Sequence, residues 1–502
     1  MSIKKIFAVD FGASGGKCFA GIFENGTFRM EEVHRFPHDG VPFFIPDENG
    51  NQVSRDYWDI VKLYDNIIEG LHKFKREFGD QIDSIGVDTW GADGQFITKD
   101  GDFLGKVYCY RDHRLDNMID EVKAKVDSET VYSITGIHFQ PFNLSNQLLW
   151  FVENRKYLLD VAESFLPISS IFYYYLGNVK MVDSSWASIT QLMDSKTKKW
   201  SDVMFDKLGI PIEKMPKIVE PGTIVGKLSE GIVNLIGLQS APKLVATASH
   251  DTASAFASAP IDNPDESLII SSGTWSLVGK LIPEAITTQA AADAGLSNEG
   301  GIGNVRFLRN CMGTWILQEL KRVWAIQDGK ETSWNIIEQQ VNEAPEFSAF
   351  IDPDDTLFYN PNNMEEAIFE FCRKTGQKVP EDRGTTARVI YESLALKYKY
   401  VNAMISRVSK TTTKQINIVG GGSKDVTLNQ FTADCFGLPV IAGPGDGTAV
   451  GNIMSQALGI GIINNILDAQ KYIRQAFEIK EFLPCDTAKW QPAYEHFKTI
   501  VQ

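Results

Sequence analysis

The segment IFAVDFGASGGKCFAGIF, residues 6–23, contains two apolar runs separated by a cluster of small residues. The first run leads into Asp10, and the second begins at Cys18, after two glycines and a lysine. This pattern predicts two β-strands joined by a tight turn. A second segment of the same design, LIISSGTWSLVGKLI, occupies residues 268–282. The two hairpins suggest an internal duplication, although unrelated apolar hairpins can also look alike.

Strand and helix patterns alternate along the rest of the chain. Residues 57–74 carry apolar side chains at helical spacing, and residues 82–91 have the composition of a buried strand. In the C-terminal half, residues 386–409 predict a long amphipathic helix, and residues 426–437 predict a helix ended by Gly437. Such alternation predicts α/β layers with partly parallel sheets.

The composition narrows the classes of function. There are 49 Lys+Arg and 64 Asp+Glu residues, a formal net charge of −15, which argues against a nucleic-acid or anionic-membrane partner. The six cysteines form no CxxC pair that would indicate a zinc or thioredoxin-type site. The N-terminal apolar run stops at Asp10, too early for a signal peptide, and no run of about 18 apolar residues is present. We therefore expect a cytoplasmic protein, monomeric or a small homo-oligomer.

Glycine-rich turns provide candidate phosphate sites. Residues 12–17 combine small residues with a lysine, so the backbone could approach a phosphate closely, although such turns are more often structural. The spacing is not that of a Walker A loop. Asp10 precedes this turn and could hold Mg²⁺ against the phosphates, or could simply cap the turn. Residues 271–274 and 420–423 are further candidates for nucleotide contact.

The segment TASHDTAS, residues 247–254, contains the candidate general base. Asp251 lies where an apolar strand gives way to a predicted helix. A carboxylate there could accept the proton of an alcohol during phosphoryl transfer, or could act only as a helix N-cap. His250 could orient a sugar hydroxyl, or could be a histidine satisfied by its neighbours.

Several motifs together carry a specific resemblance. They are AVDFGASGGK (8–17), DSIGVDTWGAD (83–93), ASHDTASA (248–255), ISSGTWSL (270–277), RFLRNCMGTWILQ (306–318) and INIVGGGS (416–423). With these motifs the chain resembles the FGGY carbohydrate kinases over nearly its whole length. The resemblance implies an α/β, actin-like ATPase (ribonuclease H-like) fold, in which two lobes of duplicated mixed β-sheets flanked by helices surround a central cleft. The lobes are expected at 1–245 and 246–465, with a C-terminal tail at 466–502.

The resemblance also implies phosphoryl transfer from ATP to a sugar, with Mg²⁺, and a role for individual residues. Asp251 matches the general base of the family. The remaining matches are Ala13, Ser14, Gly15, Gly16 and Lys17 for the ATP phosphates, Asp10 for Mg²⁺, Thr274, Gln318 and Gly421 for other parts of ATP, and Gly91, His250, Thr252 and Asn310 for the sugar.

Within the family, the chain most resembles the branch that phosphorylates the 1-hydroxyl of L-rhamnulose, a 6-deoxy-L-ketohexose. It departs from that branch at three positions. Lys17 stands where arginine is usual, Asp446 where glutamate is usual, and Gly94 where an aromatic residue is usual. Kinases of L-fuculose, which differs from L-rhamnulose only in configuration at C4, resemble the chain at Gly94, so L-fuculose is the alternative substrate. A non-enzymatic, nucleotide-gated binding protein of the same fold is disfavoured by the intact base and sugar motifs.

Overall fold

The computed structural model describes residues 3–47 and 49–501. The strands in these ranges are β1 (Lys4–Gly12), β2 (Gly15–Glu24), β3 (Thr27–Pro37), β4 (Val41–Pro46), β5 (Gln52–Trp58), β6 (Ser84–Thr89), β7 (Gly94–Ile97), β8 (Val107–Tyr108), β9 (Ser164–Pro167), β10 (Met181–Asp183), β11 (Met193–Asp194), β12 (Lys199–Trp200), β13 (Lys217–Val219), β14 (Ile224–Lys227), β15 (Lys243–Val245), β16 (Ser267–Ser272), β17 (Trp275–Ile282), β18 (Ser297–Gly300), β19 (Val305–Met312), β20 (Gln415–Val419), β21 (Val440–Ala442) and β22 (Lys480–Phe482).

The helices in the same ranges are α1 (Ile60–Phe78), α2 (Met118–Lys125), α3 (Ser128–Thr135), α4 (Leu144–Asn154), α5 (Lys156–Val161), α6 (Ile168–Gly177), α7 (Ser184–Ser188), α8 (Asp202–Leu208), α9 (Glu230–Ile236), α10 (Asp251–Ala257), α11 (Gln289–Asp293), α12 (Trp315–Asp328), α13 (Trp334–Glu343), α14 (Met364–Lys374), α15 (Arg383–Ser409), α16 (Val426–Phe436), α17 (Gly447–Gly459), α18 (Gln470–Ala476) and α19 (Trp490–Phe497). None of the helices in the described part of the chain is both long enough and apolar enough to cross a membrane.

The chain forms two compact units, each assembled from three separate segments. The first unit comprises 1–258, 281–307 and 447–476, and the second comprises 259–280, 308–446 and 477–502. The lobe boundaries expected from the sequence, after residues 245 and 465, stay predictions.

The first unit is built around a mixed sheet with the strand order β14-β15-β6-β1-β2-β3. The predicted hairpin is confirmed, because β1 and β2 are antiparallel with Gly12 opposite Gly15 and Asp10 opposite Lys17. On its other side β1 is parallel to β6, and β6 is parallel to β15. The outer pairs, β2 with β3 and β14 with β15, are antiparallel.

A second sheet, with the order β18-β19-β17-β16-β20-β21-β22, has a similar arrangement. The second predicted hairpin is confirmed by the antiparallel pairing of β16 with β17. Strand β16 is parallel to β20, which is parallel to β21, and β21 is antiparallel to β22. The directions of these four strand pairs match those of β1, β2, β6, β14 and β15 in the first sheet, which supports the duplication hypothesis.

The predicted helices are present, with differences in their bounds. The helix predicted from residue 57 begins at Ile60, after the N-cap Asp59, because Tyr57 and Trp58 still belong to β5. It buries Phe74 edge-on against Phe7 of β1, with ring centroids 5.7 Å apart. The long helix predicted at 386–409 is α15, and α16 ends at Gly437 in the left-handed conformation, as predicted.

Helix α17 packs on β1 and β6 of the first unit through polar side chains. Gln456 is fully buried; it accepts from the Ser84 hydroxyl at 2.8 Å and donates to the Phe7 carbonyl at 3.1 Å. Asn452, also fully buried, donates to the Val9 carbonyl at 3.2 Å. Buried polar groups are costly when they lack partners, so these bonds hold α17 in one position on the sheet.

We expect Gln456→Leu to lower the free energy of unfolding by about 1–3 kcal/mol, because it leaves the buried Ser84 hydroxyl without its acceptor. Urea denaturation followed by circular dichroism measures this loss. The control Gln491→Leu changes an exposed glutamine of α19 and should shift stability by no more than about 0.5 kcal/mol. Equal stabilities for the two variants would contradict the role assigned to Gln456.

Candidate active site

The site is built where β1, β6 and the start of α10 meet in the first unit. The parallel register places Asp10 beside Asp88, and the antiparallel register places Asp10 opposite Lys17. Side chains at paired positions project from the same face of a sheet, so these three share one face. The Thr89 amide at the end of β6 donates to the Ser249 carbonyl at 2.8 Å, which fixes the segment leading into Asp251.

Asp251 is the first residue of α10, whereas His250 occupies the N-cap position and makes no side-chain cap bond. The Oδ1 atom of Asp251 accepts hydrogen bonds from the Thr252 amide at 2.6 Å and the Thr252 hydroxyl at 3.1 Å. The Asp251 side chain is 32% exposed, so its carboxylate is accessible. Burial of the surrounding site raises the pKa of Asp251 to about 6, against the lowering effect of the Thr252 hydrogen bonds and the charge of Arg306.

A buried carboxylate, Asp183, holds the segment in front of Asp251. Asp183 accepts the hydroxyls of Ser185 and Ser249, and the Ser185 amide at 2.9 Å. The Ser185 hydroxyl also accepts from the His250 amide at 3.4 Å. These hydrogen bonds fix the positions of Ser249 and His250, and thereby the backbone from which α10 begins.

His250 and Gly91 are brought together by the fold. A β-carbon at Gly91 would lie 2.7 Å from Nε2 of His250 and 2.6 Å from Cδ1 of Ile189, so no side chain fits there. Behind the imidazole, Nη2 of Arg306 lies 3.1 Å from Nδ1 of His250. Burial, together with the positive charge of Arg306, lowers the pKa of His250 well below its usual value, so this histidine is neutral.

Asp10 and Asp88 lie side by side on the neighbouring strands β1 and β6. Asp88 is fully buried, and its Oδ2 accepts from Asn452 at 2.5 Å. Burial, and after it the charge of Asp10, raises the pKa of Asp88 well above its usual range. Among residues 3–47 and 49–501, no cluster of three or more His, Cys, Asp or Glu side chains is arranged to hold a metal. Mg²⁺ bound with a nucleotide needs only one or two carboxylates, and the partly exposed Asp10 fits that requirement.

The first glycine segment, Ala13 to Lys17, comprises the turn that connects β1 and β2 and the first residues of β2 in the same unit. Ser14 is exposed, while Ala13, Gly15 and Lys17 are half-buried and Gly16 is buried. The predicted phosphate turn, Asp10 and Asp251 therefore belong to one unit, with Asp10 near the carboxyl end of β1 and Asp251 at the amino end of α10.

The predicted nucleotide residues of the second unit also lie close together. Thr274 sits in the turn after β16, and its carbonyl accepts from the Gly313 amide at 3.0 Å. Gln318 of α12 donates to the Thr314 hydroxyl at 3.1 Å, and that hydroxyl donates to the Gly273 carbonyl at 2.8 Å.

Gly421 belongs to the glycine segment after β20, which packs against the end of β16 in the same unit. A β-carbon at the neighbouring Gly422 would overlap the Ser272 hydroxyl, while one at Gly421 would meet nothing within 4 Å. Gly421 is thus exposed beside the turn that carries Thr274. Asn310, predicted to contact the sugar, lies on β19 and belongs to the second unit, whereas Gly91, His250 and Thr252 belong to the first.

The sequence interpretation missed four charged residues around the base. Asp88, Asp183, Glu299 and Arg306 are each at most 5% exposed. One signal in the sequence could have identified Asp88 and Arg306. Each is a single charged residue within an apolar strand, in IGVDT (85–89) and NVRFL (304–308), and charged residues are rarely buried unless they are paired.

Comparison with known proteins identifies the family. The model of the FGGY family of carbohydrate kinases, N-terminal domain, matches residues 7–257, and that of its C-terminal domain matches residues 268–460. The chain belongs to the FGGY family of carbohydrate kinases. It is a carbohydrate kinase with the two-lobed, actin-like α/β fold that the sequence predicted.

Two curated relatives illustrate the similarity. The rhamnulokinase of Bacteroides thetaiotaomicron is 36% identical over 500 residues, covering 99% of this chain and 100% of the relative. The rhamnulokinase of Bacillus subtilis is 34% identical over 480 residues, covering 95% of each chain.

Solved structures of other sugar kinases share the fold. A xylulose kinase from Lactobacillus acidophilus has a TM-score of 0.79 at 16% identity, covering 99% of this chain and 97% of that one. A glycerol kinase from Plasmodium falciparum with ADP has a TM-score of 0.74 at 15% identity, covering 100% of this chain and 99% of that one.

Gly94, one of the three departures from the L-rhamnulose branch, is enclosed in the FGGY fold of this chain. Gly94 is buried in β7, paired with Pro167 of β9. A β-carbon there would lie 2.5 Å from the Leu166 carbonyl oxygen and 2.5 Å from the Phe165 ring. Phe165 therefore fills the space beside this strand, and the missing side chain at Gly94 does not leave an opening.

We expect Asp251→Asn to raise the stability of the protein at pH 8 and to leave it nearly unchanged at pH 4. The folded protein binds the Asp251 proton more tightly than the unfolded chain, with a pKa of about 6 against a usual 3.8, so stability is lost as the pH rises between those values. Asparagine removes this loss. Urea midpoints at several pH values measure the difference between variant and wild type.

The control for that measurement is Asp160→Asn, which removes an exposed carboxylate from α5. A difference between Asp251→Asn and wild type that stays constant from pH 4 to 8 would contradict the burial of the Asp251 charge.

Proposed function

We propose that the protein transfers the γ-phosphoryl group of ATP to the 1-hydroxyl of L-rhamnulose. The observation that carries this proposal is the accessible Asp251 carboxylate, held at the start of α10 beside His250 and Gly91. The full-length relatives named rhamnulokinase, at 34–36% identity in the two cases described, support the choice of sugar.

Asp251 acts as the general base. An alcohol is far too weak an acid to lose its proton unaided at neutral pH, so the proton must pass to a base as the oxygen attacks phosphorus. A carboxylate with a pKa of about 6 is ionised at pH 7 and still more basic than an ordinary aspartate. The two hydrogen bonds that Thr252 donates fix the Oδ1 atom of Asp251 and so orient the carboxylate.

The turn from Ala13 to Lys17 holds the phosphates of ATP. Its small residues let backbone amides approach the phosphate oxygens, and Lys17 supplies positive charge. Lysine carries a compact charge and lacks the planar guanidinium group of arginine. The Lys17 side chain therefore binds phosphate mainly by electrostatic attraction, without the paired hydrogen bonds that arginine can donate. Asp10 would hold a Mg²⁺ ion through a carboxylate oxygen, and that ion would neutralise charge on the phosphate oxygens.

The remaining predicted site residues fall into two groups, one for ATP and one for the sugar. Thr274, Gln318 and Gly421, close together at the end of β16, contact ATP. Gly91, His250, Thr252 and Asn310 contact the sugar, and the absence of a side chain at Gly91 lets the imidazole of His250 pack directly against its backbone.

L-Rhamnulose is preferred over L-fuculose because the feature that favoured L-fuculose lies inside a packed region. The enclosure of Gly94 by Phe165 and the Leu166 carbonyl means that this glycine provides no additional room for a sugar substituent. The Asp93-Gly94 pair is therefore weak support for L-fuculose, and the full-length similarity to proteins named rhamnulokinase is stronger support for L-rhamnulose.

We expect Asp251→Asn to bind ATP normally and to lose at least about 10²-fold in turnover, the low end of general-base contributions. Coupled ADP-release kinetics with L-rhamnulose measure turnover, and calorimetry measures ATP binding. Asp160→Asn serves as the matched control and should turn over like wild type. Near-normal turnover in Asp251→Asn would remove this residue from the role of base.

A ketose panel tests the substrate. We expect kcat/KM for L-rhamnulose to exceed that for L-fuculose, D-xylulose and glycerol by at least about tenfold, because a site that hydrogen-bonds sugar hydroxyls penalises a misplaced one. A higher kcat/KM for L-fuculose would replace the proposed substrate with the alternative, and activity on none of them would defeat both.

A further inference from the structure

A buried ion pair lies directly behind the proposed sugar site in the first unit. Nη2 of Arg306 lies 3.0 Å from Oε2 of Glu299, and the Arg306 Nε donates to the Gly300 carbonyl at 2.8 Å. The Arg306 side chain is completely buried and that of Glu299 is 7% exposed. Replacing such a pair with apolar residues often costs no stability, so its presence in the core suggests a purpose other than stability.

The contact from Arg306 to His250 fixes the protonation state of the imidazole. Nη2 of Arg306 is 3.1 Å from Nδ1 of His250. A guanidinium only donates hydrogen bonds and stays charged in proteins, so Nδ1 must be the acceptor and carry no proton. In a neutral imidazole the other nitrogen, Nε2, then carries the hydrogen. The low pKa of His250, caused by burial and by Arg306, agrees with the neutral form.

The Nε2–H group lies beside Asp251, the proposed base. Nε2 lies 3.5 Å from Oδ1 of Asp251, longer than an ordinary N–H···O hydrogen bond. It also lies 2.7 Å from the position that a β-carbon at Gly91 would occupy. Nε2 therefore lies between the backbone of Gly91 and the carboxylate proposed as the base.

We propose that Arg306, held by Glu299, is a positioning residue that fixes His250 as a neutral Nε2–H donor to an oxygen of the ketose beside its reacting hydroxyl. The identity of that acceptor oxygen rests on the proposed function, whereas the protonation state of His250 does not. Arg306 does not touch the sugar in this proposal, and it acts only through His250.

The alternative states of His250 would each disturb the base. With its hydrogen on Nδ1, His250 would turn a donor towards Arg306 and a lone pair towards Asp251. As a cation, His250 would place a positive charge 3.5 Å from the base and lower its basicity. The charged groups that face the imidazole are Asp251 from α10, Glu299 from β18 and Arg306 from β19, and Asp183 acts on Arg306 from a greater distance.

The direct test is two-bond ¹H–¹⁵N NMR of ¹⁵N-histidine-labelled, ligand-free protein. The chain has seven histidines, and loss of one signal in His250→Gln assigns the resonance. We expect an unprotonated Nδ1 and a protonated Nε2, unchanged between pH 8 and 6. A protonated Nδ1 in the wild-type protein would overturn the proposal, whichever sugar is the substrate.

The variants separate positioning from simple stability. Arg306→Met combined with Glu299→Met removes the pair without leaving a buried charge, and we expect a mixture of His250 tautomers with a pKa closer to the ordinary value. We expect kcat/KM for the ketose to fall about 10²-fold, the loss typical of a misplaced group, while the KM for ATP stays unchanged. The single variant Arg306→Lys keeps a charged donor, and we expect its kcat/KM for the ketose to lie between those of the double variant and the wild type.

The matched control replaces another buried pair, Arg388 and Glu392 of α15, whose Nε and Oε1 atoms are 2.7 Å apart. Arg388→Met with Glu392→Met should leave the tautomer of His250 and the ketose KM unchanged. If the Arg306 double variant changes the tautomer but not the ketose kcat/KM, the positioning role is wrong. If wild-type protein phosphorylates no ketose, the proposed function fails, and the NMR result still decides whether Arg306 fixes the tautomer.

Discussion

A carboxylate that takes a proton from an alcohol near neutral pH must be removed from water and must still be reachable. The first condition raises its pKa, and the second prevents its enclosure in the core. Asp251 meets both conditions because it begins a short helix directly after a buried segment. Its backbone is fixed by the Asp183 network and by the Thr89 amide, while its side chain stays 32% exposed.

The same hairpin design positions the turns proposed to bind ATP in both units. In each sheet, a strand that is antiparallel to one neighbour and parallel to the other ends in a turn of small residues. The carboxyl ends of parallel strands gather at one edge of a sheet, so residues from distant parts of the chain lie near that turn. In the first unit these are Asp10, Asp88 and Asp251, and in the second they are Thr274, Gln318 and Gly421.

The features that sequence predicted well depend on local patterns. Both hairpins, α15 and the end of α16 at Gly437 are each set by neighbouring residues, through apolar spacing or through a glycine that adopts a left-handed conformation. The start of α1 was misplaced by three residues because the apolar spacing continues without a break from β5 into the helix. The family resemblance, which depends on several motifs together, supplied the fold and kinase class; the assigned residue roles stay predictions.

The features that sequence did not predict depend on contacts between distant segments. Nothing near Asn452 or Gln456 indicates that α17, some 360 residues after β6 in the chain, packs on β1 and β6 within the first unit. Likewise, nothing near Arg306 indicates that its partner is a histidine 56 positions away. Polar residues that are buried only because the chain returns to an earlier sheet have no local signature.

Charge balance around Asp251 explains why these distant contacts matter for chemistry. Burial raises the pKa of Asp251, and the Thr252 hydrogen bonds and Arg306 lower it, so the value of about 6 is a compromise between opposing effects. A cationic His250 would add a further lowering effect at short range. Arg306 prevents this by repelling a second positive charge, while Glu299 compensates the charge of Arg306 itself. In the proposed reaction, a neutral histidine between a cation and a carboxylate donates a hydrogen bond to the sugar without making the base weaker.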